Sequence, residues 1–275
     1  MFKRVSIFLF GVVSYALFFA TFLYAVGFIG NFSVPRTLDG APTATFTMAL
    51  LVNLGLLGVF AVQHSVMARP AFKRWFTRVV PESAERSTYV LFSSIALIAL
   101  FTFWQPLGGV VWAVSDPALR GVLWGCFVFG WLLVLVSTFL INHFDLFGLR
   151  QVWLQLVERP YTPLAFRTPG PYLFVRHPLY VGWLFAFWAT PTMTISHLLF
   201  AIATTAYILI AIRFEERDLV AHHGAIYQEY VEQVPMLVPF TRKRNVDVAF
   251  LRRQRLNVSY DRPGITLRAP PAEGE

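Results

Sequence analysis

The sequence predicts an all-α protein: a polytopic membrane helix bundle with five full spans, a short or re-entrant helix in a C-terminal hairpin, and a cytoplasmic amphipathic helix. Three observations predict it. Of 275 residues, 56% are hydrophobic and only 14% are charged, too few charges to cover a soluble domain. Residues 5–35, 40–68, 87–115, 121–144 and 177–212 contain no Lys, Arg, Asp or Glu. A helix needs roughly 20 apolar residues to cross a hydrocarbon core of about 30 Å. Lys and Arg also gather in alternate loops, which sets an orientation.

The first four stretches supply one span each. The first follows Lys3 and Arg4 and imitates a signal peptide, but the apolar run continues through residues 24–30 with no small-residue cleavage site, so it is expected to remain as a helix. The fifth stretch is long enough for two passes that turn at residues 190–194. Its first arm, residues 179–189, falls short of a span at about 1.5 Å per residue. Residues 214–231 then read as an amphipathic helix leaving the membrane, with Glu215 and Glu216 at the water boundary. The loop at 144–176 holds Pro160, Pro163, Pro169, Gly170 and Pro171. It separates a four-helix N-terminal part (5–145) from a C-terminal part (168–239) of one membrane domain, 1–240. Residues 241–275 read as a basic, partly disordered tail.

Lys3, Arg4, Arg69, Lys73, Arg74, Arg78, Arg86, Arg150, Arg159, Arg167 and Arg176 all fall on one side of this topology, and the opposite loops carry Arg36, Asp39, Asp116 and Arg120. Both termini are therefore expected in the cytoplasm. The net charge of +8 is read as attraction to a bilayer with anionic lipids, not to nucleic acid. Cys126 is the single cysteine, which excludes a disulfide framework and a Cys-based metal site within one chain. No metal is expected.

Ionisable groups are kept out of the spans, so polar side chains at the cytoplasmic helix ends are the candidates for function. Three clusters qualify: Gln63-His64-Ser65, Asn142-His143-Phe144-Asp145, and Arg176-His177-Pro178-Leu179-Tyr180-Val181-Gly182. Pro178 suits a first helical turn, whose free amides beside Arg176 favour an anion. Further on, Glu216, Leu219, His223, Tyr227 and Tyr230 recur at helical spacing and share a face. A carboxylate, an imidazole and two phenols on one face exceed what a merely solvated helix needs.

The run from Arg176 to Gly182, followed by Glu215-Glu216, Leu219, Gly224, Tyr227, Tyr230 and Val234-Pro235, resembles the isoprenylcysteine carboxyl methyltransferase and phospholipid N-methyltransferase superfamily of integral-membrane methyltransferases. His223 departs from it, standing where that pattern has Phe. Residues 63–70 and 142–151 are similar to the branch that contains the bacterial methanethiol S-methyltransferases, with denitrification-associated membrane proteins as relatives. The resemblance implies a bacterial cytoplasmic membrane enzyme that uses S-adenosyl-L-methionine. It places Arg176, His177, Tyr180, Glu215, Glu216 and Tyr227 around that cofactor. The implied acceptor is a small thiol, methanethiol, giving dimethyl sulfide.

A thiol is mostly protonated at neutral pH, so His64 or His143, with Asp145 as the orienting carboxylate, is the expected base. Two other functions stay open on the sequence. One is the same chemistry on a larger lipid or prenyl thiol or carboxyl acceptor. The other is a haem-dependent isomerase with His64, His143 and His177 as candidate axial ligands.

Overall fold

The computed structural model describes residues 1–241; the basic tail expected at 241–275 lies, after its first residue, outside the described residues. Five helices are long and apolar enough to cross a membrane: α1 (Phe2–Gly30), α2 (Phe46–Ala68), α4 (Glu82–Phe103), α5 (Pro117–Ile141) and α9 (Ile195–His223). Short helices fill the basic loops, namely α3 (Pro70–Phe76), α6 (His143–Leu146) and α7 (Leu149–Leu156). A 3-10 turn at Gly170–Leu173 leads into α8 (Pro178–Trp188), and α10 (Ala225–Gln233) ends the described helices.

α8 has 11 residues, about 16 Å of helix, and cannot cross a 30 Å core. It packs along α5, and two glycines permit the approach. A Cβ on Gly182 would lie 2.7 Å from the Gly130 carbonyl oxygen, and one on Gly130 would lie 2.6 Å from the Ala186 amide nitrogen. Small residues of this kind let backbones meet where no hydrophobic effect drives helices together. Gly182 is therefore a packing residue within the Arg176 to Gly182 run. α1 packs on α4 and α7, and α2 packs on α4 and α9. Phe28, Leu100, Phe101, Trp104, Phe127, Phe187, Phe200 and Ile212 fill the space between.

α9 has 29 residues, about 43 Å, so its last turns outrun the hydrocarbon core. The helix expected to start near residue 214 is a continuation of this span. It breaks at Gly224, where φ is 60° and ψ is −134°, a conformation that glycine adopts without strain. Residues 214–231 thus divide between the end of α9 and α10.

A second difference from the sequence reading is a two-stranded antiparallel pair, β1 (Val110–Ala113) with β2 (Thr192–Thr194). It closes the end of the bundle away from the basic loops. There Asn31 Nδ2 donates to Asp39 at 2.6 Å, and Thr194 Oγ1 donates to the other Asp39 oxygen. Ser196 Oγ accepts the Leu107 amide at 2.6 Å, and Trp104 donates to the Leu38 carbonyl at 3.1 Å. Asn53 exchanges two hydrogen bonds with the Gln105 backbone. These side chains satisfy loop amides and carbonyls that lipid could not.

Candidate functional site

At the basic end, the chain between the 3-10 turn and α8 is pinned from two directions. The Arg176 and His177 amides donate to the Pro235 and Met236 carbonyls at 2.9 and 3.2 Å. The Arg176 guanidinium donates through Nη1 to the Val231 and Val234 carbonyls at 3.1 and 2.5 Å, and through Nε to Glu216 at 2.7 Å. Its side chain is only 5% exposed. His177 Nε2 lies 2.9 Å from the same Glu216 oxygen, so one carboxylate oxygen gathers an arginine and an imidazole. Tyr180, one turn along α8, donates to Glu215 at 2.9 Å.

Glu216 Oε2 and Glu215 Oε1 receive no hydrogen bond among the described residues. A buried arginine thus orients Glu216 and a phenol orients Glu215, and both carboxylates retain unused acceptor capacity. Tyr227 and Tyr230 pack beneath with Phe166 and Val234, and Tyr230 donates to the Tyr172 carbonyl at 2.6 Å. Burial, with Glu216 and Glu215 nearby, pushes the Tyr227 phenol well above its usual pKa and keeps its proton on.

A second polar group adjoins the first. His64 on α2 is held by Tyr89, whose hydroxyl is 2.8 Å from Nε2, and by Ser93, 3.2 Å from Nδ1, and it stacks on Phe60. Ser65 meets the Tyr207 hydroxyl at 3.2 Å. Tyr89 and Tyr207 lie within electrostatic range of Tyr180, and Tyr89 also of Glu215. α2, α4, α8 and α9 therefore bring an imidazole, phenols and carboxylates to one place.

The second cluster read from the sequence is built differently. His143 Nε2 meets Tyr15 and Nδ1 meets Thr138, both at 2.8 Å, and the ring stacks on Phe139 at 4.2 Å. It is 3% exposed, and burial lowers its pKa. Asp145 does not orient it. Its carboxylate takes Arg150 at 2.8 Å and Tyr161 at 3.3 Å. The expected His143–Asp145 pair is thus corrected: two residues apart on the single turn of α6, the side chains point to different neighbours.

Tyr89, Ser93 and Tyr207 escaped the sequence reading. Tyr89 and Ser93 stand four residues apart on α4, one helical face of hydroxyls inside a charge-free stretch. That spacing was the available signal.

The fold is that of a multi-span membrane protein with a polar candidate active site at the basic end of its bundle. Over 243 residues, 88% of this chain, it is 55% identical to the methanethiol S-methyltransferase of Crocosphaera subtropica, covering 95% of that protein. It is 54% identical to the methanethiol S-methyltransferase of Mycobacterium tuberculosis over 241 residues, 88% of this chain and 99% of that one. The chain belongs to the methanethiol S-methyltransferase family. Nurim of Bos taurus is a more distant relative, 31% identical over 70% of this chain and 78% of its own. No family model and no solved structure matches the chain.

Proposed function

We propose that the chain transfers the methyl group of S-adenosyl-L-methionine to the sulfur of methanethiol, giving dimethyl sulfide, at a cytoplasm-facing membrane site. The observation that carries this reading is the junction of two groups, Arg176-His177-Tyr180-Glu215-Glu216 and His64-Tyr89-Ser65-Tyr207. The names of its relatives supply the acceptor. The donor set fits the cofactor: free carboxylate oxygens on Glu215 and Glu216 suit a cationic ligand with an ammonium and ribose hydroxyls. Bound there, S-adenosyl-L-methionine supplies a methyl group on a positively charged sulfur.

The residues of this chain do the rest. Glu216 and Glu215 fix the cation, and Arg176 and His177 fix Glu216. Tyr180 holds Glu215, and Tyr227 supports this floor from α10. His64 takes the thiol proton, because Tyr89 links it toward Glu215 while His143 is enclosed by Tyr15, Phe139 and Phe147. Positioning supplies much of the rate. Attack forms one S–C bond as another breaks, and the proton leaves through His64.

Basic loops at one end of the bundle support a cytoplasmic location for both termini in a bacterial cytoplasmic membrane, with anionic lipid beside them. Residues 1–240 form one membrane domain on this reading. The test is purified protein with methyl-labelled S-adenosyl-L-methionine, offered methanethiol, longer thiols or a lipid extract. Label in dimethyl sulfide supports the proposal. Label only in lipid assigns a larger acceptor, and no transfer to any of them sinks the reading.

A further inference from the structure

The carboxylates of the site have been given a cationic ligand, but the donor also carries a carboxylate, and the arginine expected beside it is already committed. Arg176 uses Nε and both hydrogens of Nη1 within the protein and is buried. Arg69 is tied to Asp218 at 2.9 Å and to the Ser65 carbonyl. Arg150 is tied to Asp145 and Thr162. Arg86 differs from these. Among the described residues its guanidinium meets no carboxylate within ion-pair distance, and it lies 5.8 Å over the Tyr89 ring.

Tyr89 is the residue whose hydroxyl reaches His64 and which lies in electrostatic range of Glu215. Arg86 itself is in electrostatic range of His64 and Lys73. The polar cluster therefore carries carboxylates with free oxygens on α9 and, among the described residues, an arginine without an ion pair on α4. That is the charge pattern of an α-amino acid read from outside, ammonium toward the glutamates and carboxylate toward the arginine.

We propose that Arg86 binds the carboxylate of the methyl donor. The assignment rests on the proposed S-adenosyl-L-methionine site and adds a contact from the N-terminal half of the chain. An arginine-carboxylate contact at a half-buried site is worth roughly tenfold in affinity or more.

The experiment is calorimetric titration of the full chain in detergent with S-adenosylmethionine and with its decarboxylated analogue, for wild type, Arg86→Gln, Arg86→Lys and the exposed neighbour Arg74→Gln. Arg86→Gln is expected to weaken S-adenosylmethionine roughly tenfold or more and leave the decarboxylated analogue unchanged. Arg86→Lys should recover part of the loss, and Arg74→Gln should match wild type for both ligands.

Arg86 is the wrong residue if Arg86→Gln leaves S-adenosylmethionine affinity intact, including the case where turnover alone falls, which points to a thiolate-facing role. An equal fall for both ligands in Arg86→Gln and Arg86→Lys, or the same selective loss in Arg74→Gln, also overturns it. Wild-type protein that binds neither ligand removes the donor site itself, and the proposed function with it.

Discussion

At one end of the bundle Asn31, Asp39, Thr194 and Ser196 exchange hydrogen bonds with one another and with loop backbone, and Leu38 and Met193 are fully buried. At the other end Arg176, His177, Tyr180, Glu215 and Glu216 also form a network, yet among the described residues carboxylate oxygens have no donor and an arginine has no ion pair. Both ends face the same problem, polar backbone leaving a membrane. The first solves it nearly to saturation, His197 Nδ1 being a buried atom left there without a partner among the described residues, and the second leaves charged groups open. Unspent hydrogen-bonding capacity, more than the number of charges, marks the functional end.

Removing Glu216 should show the largest effect. Glu216→Ala leaves Arg176 buried without its counter-charge, so donor affinity should fall about a hundredfold and stability by about 2–4 kcal/mol. Thermal unfolding beside ligand titration reads both, and wild-type affinity in this variant would remove Glu216 from the site. Next comes the base. His64→Ala should cut turnover at pH 7 by about a hundredfold or more while donor affinity holds, and His143→Ala should spare turnover. The reverse pattern moves the base to α6.

Gly182→Ala tests the scaffold beneath. A methyl group 2.7 Å from the Gly130 carbonyl should force α5 and α8 apart at about 1–3 kcal/mol, seen as a lower unfolding midpoint. An unchanged midpoint would mean that the two helices do not cross there.

The saturated end predicts smaller effects and only on stability. Thr194→Val should remove about 1 kcal/mol without touching donor affinity or turnover. A matching loss of activity would break the contrast between the ends. The smallest effect is that of pH on His143. Burial holds its folded pKa below the ordinary 6.5, so the unfolded chain binds the proton more readily. Stability present above pH 6.5 is lost as the pH falls below it. His143→Phe should flatten that slope in unfolding midpoints measured from pH 7.5 to 5.5.

Much of this was legible in the chain because lipid makes strict demands. A spanning helix must be long and apolar, so the five spans could be read directly. The polar residues of the Arg176 to Gly182 run and Glu215-Glu216 stood out against that background. What escaped depends on direction and on short pieces. Asp145 and His143 are neighbours in sequence but not in contact, since side-chain direction on α6 decides their partners. β1 and β2 have four and three residues, too few for a period-two pattern; β1 sits where an apolar stretch reads as a span end, and β2 in the turn read at 190–194. α9 hid the boundary expected near residue 214 because a helix can leave the membrane without changing its backbone. Tyr89 was overlooked because an aromatic residue inside a span ordinarily packs.

The closed end also bears on energetics at the scale of the whole membrane. On the proposed reading, a charged donor arrives and its spent form departs by the same open end, and the only species that moves into the bilayer is a neutral thioether. No net charge is carried through the transmembrane field, which would otherwise contribute about 2.3 kcal/mol per elementary charge per 100 mV. On that reading the hydrogen-bonded end around Asp39, Thr194 and the strand pair keeps the chemistry electrically silent. Methyl transfer on vesicles should proceed at the same rate whether or not they are energised.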